Sequence, residues 1–94
     1  MLTEEKVDIM HKAIETYGTD KQVLKTIEEM SELTKELCKR DGSEESFDRI
    51  LEEMVDVQIM LNELAIIFNY SAKEVIQWED KKFTRLKNRL ENGE

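Results

Sequence analysis

An all-α fold is what this sequence predicts, and three observations predict it. Proline is absent and glycine occurs only at positions 18, 42 and 93, so long stretches run without a residue that breaks a helix. Glu, Lys, Leu, Met and Ile dominate, and straight-chain residues of this kind lose little side-chain freedom in a helix. Apolar residues also recur every three to four positions rather than in alternation. With 94 residues the chain is expected to form one domain, 1–94. A domain this small buries a reduced share of its surface, so a partner subunit is expected as well.

Thr3 is a natural N-cap, and the stripe Val7, Met10, Ile14 and Tyr17 carries a first helix to about Tyr17. Gly18 then ends it in a left-handed conformation, and Thr19 with Gln22 has capping-box spacing for a second helix reaching Lys39 or Arg40. Val23, Ile27, Met30, Leu33 and Leu37 give that helix a face to lay against a core. Asp41-Gly42-Ser43 interrupts, and Ser43 or Ser46 caps a third helix running from Phe47 through Phe68. Val55, Ile59 and Ile66 widen its apolar surface beyond what one antiparallel neighbour covers, which predicts a subunit interface there. Ser71 and Glu74 form a second capping-box pattern, opening a fourth helix through Ile76, Phe83, Leu86 and Leu90.

The formal charge is −8, from 22 acidic and 14 basic side chains. A surface this acidic repels a phosphate backbone, so polymeric nucleic acid is an unexpected partner. Cys38 stands alone and cannot close an intramolecular disulfide, and no apolar run approaches a membrane span or a secretion signal. A cytoplasmic protein is expected.

The acids are not evenly spread. At 100° per residue, Glu28, Glu29 and Glu32 fall within about one 100° sector of the second helix, and Glu53 and Asp56 share a face of the third. Carboxylates so placed repel one another and lose hydration in a helix interface, and both costs are offset by a hard cation such as Mg²⁺, which takes oxygen ligands and bridges to phosphates. A solvated acidic face is the plain alternative, because acids are common throughout this chain and Glu is a good exposed helix former.

These five acids, in this order, resemble the signature of the MazG-like all-α nucleoside triphosphate pyrophosphohydrolases: two adjacent Glu with a third three residues on, then a Glu and an Asp three apart. The resemblance spans roughly residues 22–90. It implies a four-helix core assembled as a homodimer or homotetramer, hydrolysing a nucleoside triphosphate to the monophosphate and pyrophosphate with Mg²⁺. It implies Glu29, Glu32, Glu53 and Asp56 as metal ligands and Glu28 as the residue that orients water. Near the last helix the family carries a basic, aromatic segment, matched by Lys82, Phe83 and Arg85, with Lys82 and Arg85 at the phosphate-contacting positions. Asp80 departs from the family's Asn, and Phe83 is expected to pack the core. The motif concerns phosphates and metal, so it leaves base and sugar preference open, including noncanonical or deoxy substrates. A non-enzymatic helical interaction protein and a nucleotide-binding sensor are the competing readings.

Other residues invite less. His11 has no partner motif and is read as a surface or interface residue, and Cys38 as a packed or partly exposed thiol. Tyr70 and Trp78 are expected in the core or an interface rather than on a base. Lys25, one turn before the first acidic cluster, is set aside from the primary site.

Overall fold

The structure is a computed structural model that describes residues 1–93. It contains four helices: α1 Glu4–Tyr17, α2 Thr19–Cys38, α3 Glu44–Ile67 and α4 Ala72–Glu91. Three of the four N-termini are closed as the sequence suggests. The Thr3 hydroxyl accepts from the Lys6 amide, Ser43 accepts from Ser46, and Ser71 with Glu74 forms a complete capping box.

The start of α2 differs. Gly18 itself is the N-cap, at φ 92° and ψ 151°, and no side chain caps the helix. The expected Thr19–Gln22 box does not form because Thr19 is already the first helical residue and the cap position falls on Gly18, while the Gln22 side-chain amide donates across to Glu63 at 2.6 Å. Gly18 is also not in the compact left-handed well; its extended ψ with positive φ is a conformation essentially confined to glycine. At the next connection Ser46, the other candidate cap, is buried and its hydroxyl accepts from the Asp41 amide at 3.4 Å.

Packing is concentrated between α2 and α3, with α1 touching both. The buried or half-buried residues of α2 are Gln22, Val23, Thr26, Glu29, Glu32, Leu33 and Glu36, so of the expected stripe Val23 and Leu33 are partly covered while Ile27, Met30 and Leu37 are turned aside. Ile27, Met30 and Leu37 are exposed, as are Phe47, Met54 and Leu61 on α3. Met10 and Met60, at 5% and 6% exposure, are the fully buried apolar side chains among the described residues. Gln22 and Glu63 are buried beside them.

The helix α4 packs against none of the others. The chain leaves α3 through a left-handed cap: Asn69 sits at φ 58°, its amide donates to Ile66 and the Tyr70 amide donates to Ala65, closing the carbonyl end of α3. Phe83, expected in the core, is therefore 64% exposed, and Tyr70 and Trp78 are exposed too, with the Lys81 ammonium 4.8 Å from the Trp78 ring. The radius of gyration is 16.2 Å, whereas a compact chain of this length has about 12 Å.

The Gln22–Glu63 pair yields a direct test. Gln22→Ala leaves a buried carboxylate without its donor and should destabilise the protein by about 2 kcal/mol, measured by urea unfolding. Adding Glu63→Leu should recover most of that loss. Equal stability of the wild type and Gln22→Ala would show that the pair contributes nothing.

Candidate metal centre

The seam between α2 and α3 places carboxylates face to face. Glu29 lies seven residues after Gln22, two helical turns along the same face of α2, while Glu53 lies seven after Ser46 and seven before Met60 on the packed face of α3. Asp56 follows Glu53 by three and flanks the same seam. One oxygen from each of Glu29, Glu53 and Asp56 falls within 4.8 Å of the other two, and all three side chains are half-buried. Around an octahedral Mg²⁺ two ligand oxygens stand about 3 Å apart when adjacent and about 4.2 Å when opposite, so these three side chains would close together to share one ion.

The chemistry of this donor set fits a hard cation. Glu53 Oε2 is buried, and no protein donor among the described residues satisfies it. Burial, first, and then the charges of Asp56, Glu29, Glu32 and Glu52 push the Glu53 carboxyl above its ordinary range. A cation shared among the three groups removes both penalties at once.

Of the other acids, Glu32 is half-buried and adds to the field on Glu53 without joining the tight group. Glu28 is exposed at the rim, with Oε1 3.8 Å from the Lys25 ammonium. Lys25 also reaches Glu29 Oε1 at 3.1 Å, and the Glu29 hydrogen bond, with the charges of Glu28 and Glu29, raises its pKa. Set aside in the sequence reading, Lys25 thus belongs to the cluster. Its signal was the four-residue step to Glu29, the spacing of neighbours on one helix face. The Gln22–Glu63 pair was missed altogether; Glu63 offered a hint as a charge one turn beyond Met60 on a hydrophobic helix.

An open depression of about 490 Å³ borders the cluster where Lys25 and Glu28 meet Tyr17, Gln22, Leu24 and Met60. Lys82 and Arg85 are not beside it, because they lie on α4, away from α2 and α3. They line a shallow groove of about 640 Å³ with Phe83, Leu86, Asn88 and Arg89. All six belong to one helix, so no second element encloses a ligand there. Among the described residues no helix is long and apolar enough to cross a membrane.

Compared with models of protein families, with curated proteins and with solved structures, the chain matches none at a significant level.

The perturbed Glu53 carboxyl has a pH consequence. A folded-state pKa above the ordinary 4.5 means that the folded chain holds this proton more tightly than the unfolded one. Stability of the metal-free protein therefore falls as pH rises from about 4.5 through the raised value. Glu53→Gln should melt higher than the wild type at pH 7 without metal, with the gap closing towards pH 4. Adding Mg²⁺ should raise the wild-type melting temperature more than that of the variant. A variant that melts lower at pH 7 without metal would mean that Glu53 is a stabilising charge.

Proposed function

We propose that this chain is a Mg²⁺-dependent, MazG-like nucleoside triphosphate pyrophosphohydrolase that works in the cytoplasm as a homodimer or homotetramer. The observation that carries the reading is the meeting of Glu29, Glu53 and Asp56 across the α2–α3 seam, with one Glu53 oxygen buried and unpaired. A solvated acidic face would spread its charges outward, whereas these are gathered in the seam, where Lys25 relieves Glu29 alone and a bound cation would offset the remaining repulsion.

Glu29, Glu53 and Asp56 would hold Mg²⁺, with Glu32 completing the set. Bound there, the ion neutralises the triphosphate and makes water a better nucleophile. Glu28, exposed at the rim, orients the water whose oxygen replaces pyrophosphate at the α-phosphorus, and accepts its proton. Lys82 and Arg85, which lie on α4 away from this seam, would reach the phosphates from another copy in the assembly, where their charge is worth most as the leaving pyrophosphate develops its own. The depression at Tyr17, Leu24 and Met60 falls within the size range of small-ligand pockets and offers apolar wall to a nucleoside.

The rival reading is a helical interaction protein without turnover, and the exposed apolar sides of α2, α3 and α4 favour it. Product analysis separates the two. The purified protein incubated with Mg²⁺ and a panel of nucleoside triphosphates should release monophosphate and pyrophosphate. Changing Glu29, Glu32, Glu53 and Asp56 singly to their amides should lower turnover by about 10² or more while circular dichroism stays helical. Intact triphosphates across the panel, or undiminished turnover in all four amide variants, would overturn the proposal.

A further inference from the structure

We propose that α4 docks in the apolar groove between α1 and α3 of a second copy of this chain, bringing its basic side chains to the carboxylate centre of that copy. The docking is argued from the molecule's charge and shape; its role at the centre rests on the hydrolase reading above.

Charge is divided sharply along the chain. Residues 1–71 hold 17 acidic and 8 basic side chains, a formal −9, whereas α4 holds six basic and four acidic, a formal +2. Within α4 the stretch from Lys81 to Arg89 has five cations and no acid. The part of the chain with surplus positive charge is thus the part that touches nothing, and the acidic cluster has Lys25 as its paired cation.

The shape agrees. On α4, Ile76, Phe83, Leu86 and Leu90 form one apolar stripe, and at 100° per residue Lys82 and Arg89 follow it on one side, with Arg85 further round the same side. A 20-residue helix with such a stripe gains little by standing alone in water, because most helix stability in proteins comes from burying that face. A receptor of matching character lies on the body: an open groove of about 600 Å³ walled by Leu2, Ile9 and Met10 from the N-terminal side and by Val55 and Ile59 from α3. Asp56 follows Val55 directly and Glu52 precedes it by three, so acids flank this groove on α3. A helix seated there sets its basic margin against the same acids that belong to, or act on, the metal cluster.

The placement of α4 favours a second copy over the chain's own groove. Beyond the cap that the amides of Asn69 and Tyr70 make on the last turn of α3, α4 touches none of this chain's own helices. A second copy receives α4 as it stands, and two copies related by a twofold axis exchange helices reciprocally.

The experiment uses full-length protein made in light and ¹⁵N-labelled form, mixed in equal amounts, unfolded and refolded together. Zero-length coupling of amines to carboxylates then joins α4 lysines to body acids, and mass spectrometry reads the isotope of each partner. Links from Lys82 to Glu52 or Asp56 should be present, with about half carrying one light and one heavy peptide, the share for random pairing across a symmetric interface. Phe83→Glu, which leaves the charges in place and sets an acid in the apolar stripe, should abolish the mixed links while α4 stays helical. Links confined to same-isotope pairs, no such links in an active protein, or mixed links undiminished by Phe83→Glu would each overturn the docking. Mixed links in a protein that releases no pyrophosphate would sink the hydrolase reading and leave the docking standing. Pyrophosphate release with only same-isotope links would do the reverse.

Discussion

The rest of the structure depends on what fills the α2–α3 seam. Most helix pairs close on aliphatic side chains, but the covered faces here mix Leu33, Ile50, Val57 and Met60 with the polar Gln22, Thr26, Glu29, Glu36, Ser46, Glu53 and Glu63. Two carboxylates from α3 meet a third from α2 there, and repulsion among them opposes the very contact that holds the helices together. Partial relief comes from Lys25 on Glu29 and from Gln22 on Glu63. At the far end of the seam Glu36 accepts from Arg49 across the two helices at 3.1 Å, with Lys39 3.2 Å from its other oxygen, and those cations pull its carboxyl below the ordinary range against the opposing effect of burial. The seam is thus neutralised at its ends and left electron-rich in the middle.

Turning the polar faces inward forces the apolar ones outward. Ile27 and Met30 on α2, with Phe47 and Met54 on α3, sit where a single chain has nothing to cover them. The fourth helix shows the same arrangement, apolar along one side and unpacked. A lone chain of this composition has little dry interior, two methionines rather than a cluster of branched aliphatics, and that is a weak basis for independent stability.

The sequence announced the elements better than their orientation. Helix limits were legible at Thr3, Ser43 and Ser71 because a hydroxyl N-cap is a local device, readable from the residues beside it. The Gly18 turn was legible as a break, but its geometry was not, since the cap falls on Gly18 itself, one residue before the Thr19 that the capping pattern points to. Orientation failed for α2 because a periodic apolar stripe says that a face wants cover without saying which molecule provides it. Hence Ile27 and Met30 were assigned to a core that one chain does not form, and Phe83 with them. Within the site, the three-residue step from Glu53 to Asp56 fixed a shared face in advance, and the convergence of Glu29 on them from α2 required the fold. Lys25 was undervalued because a Lys four residues before a Glu is an ordinary surface pairing until the Glu proves half-buried.

The exposed fourth helix also bears on how long a single chain survives. Lys81, Lys82, Arg85, Lys87 and Arg89 place five cleavage points for a basic-residue protease within nine positions of a helix that no tertiary contact anchors. Segments without such anchoring open locally at low cost, and the opened form is what a protease cuts. A chain whose α4 finds no cover therefore presents its most degradable segment together with its stickiest one, Phe83, Leu86 and Leu90. Cover of that helix would ration both hazards at once, so that the standing amount of the protein follows how completely its copies are paired rather than how fast they are made.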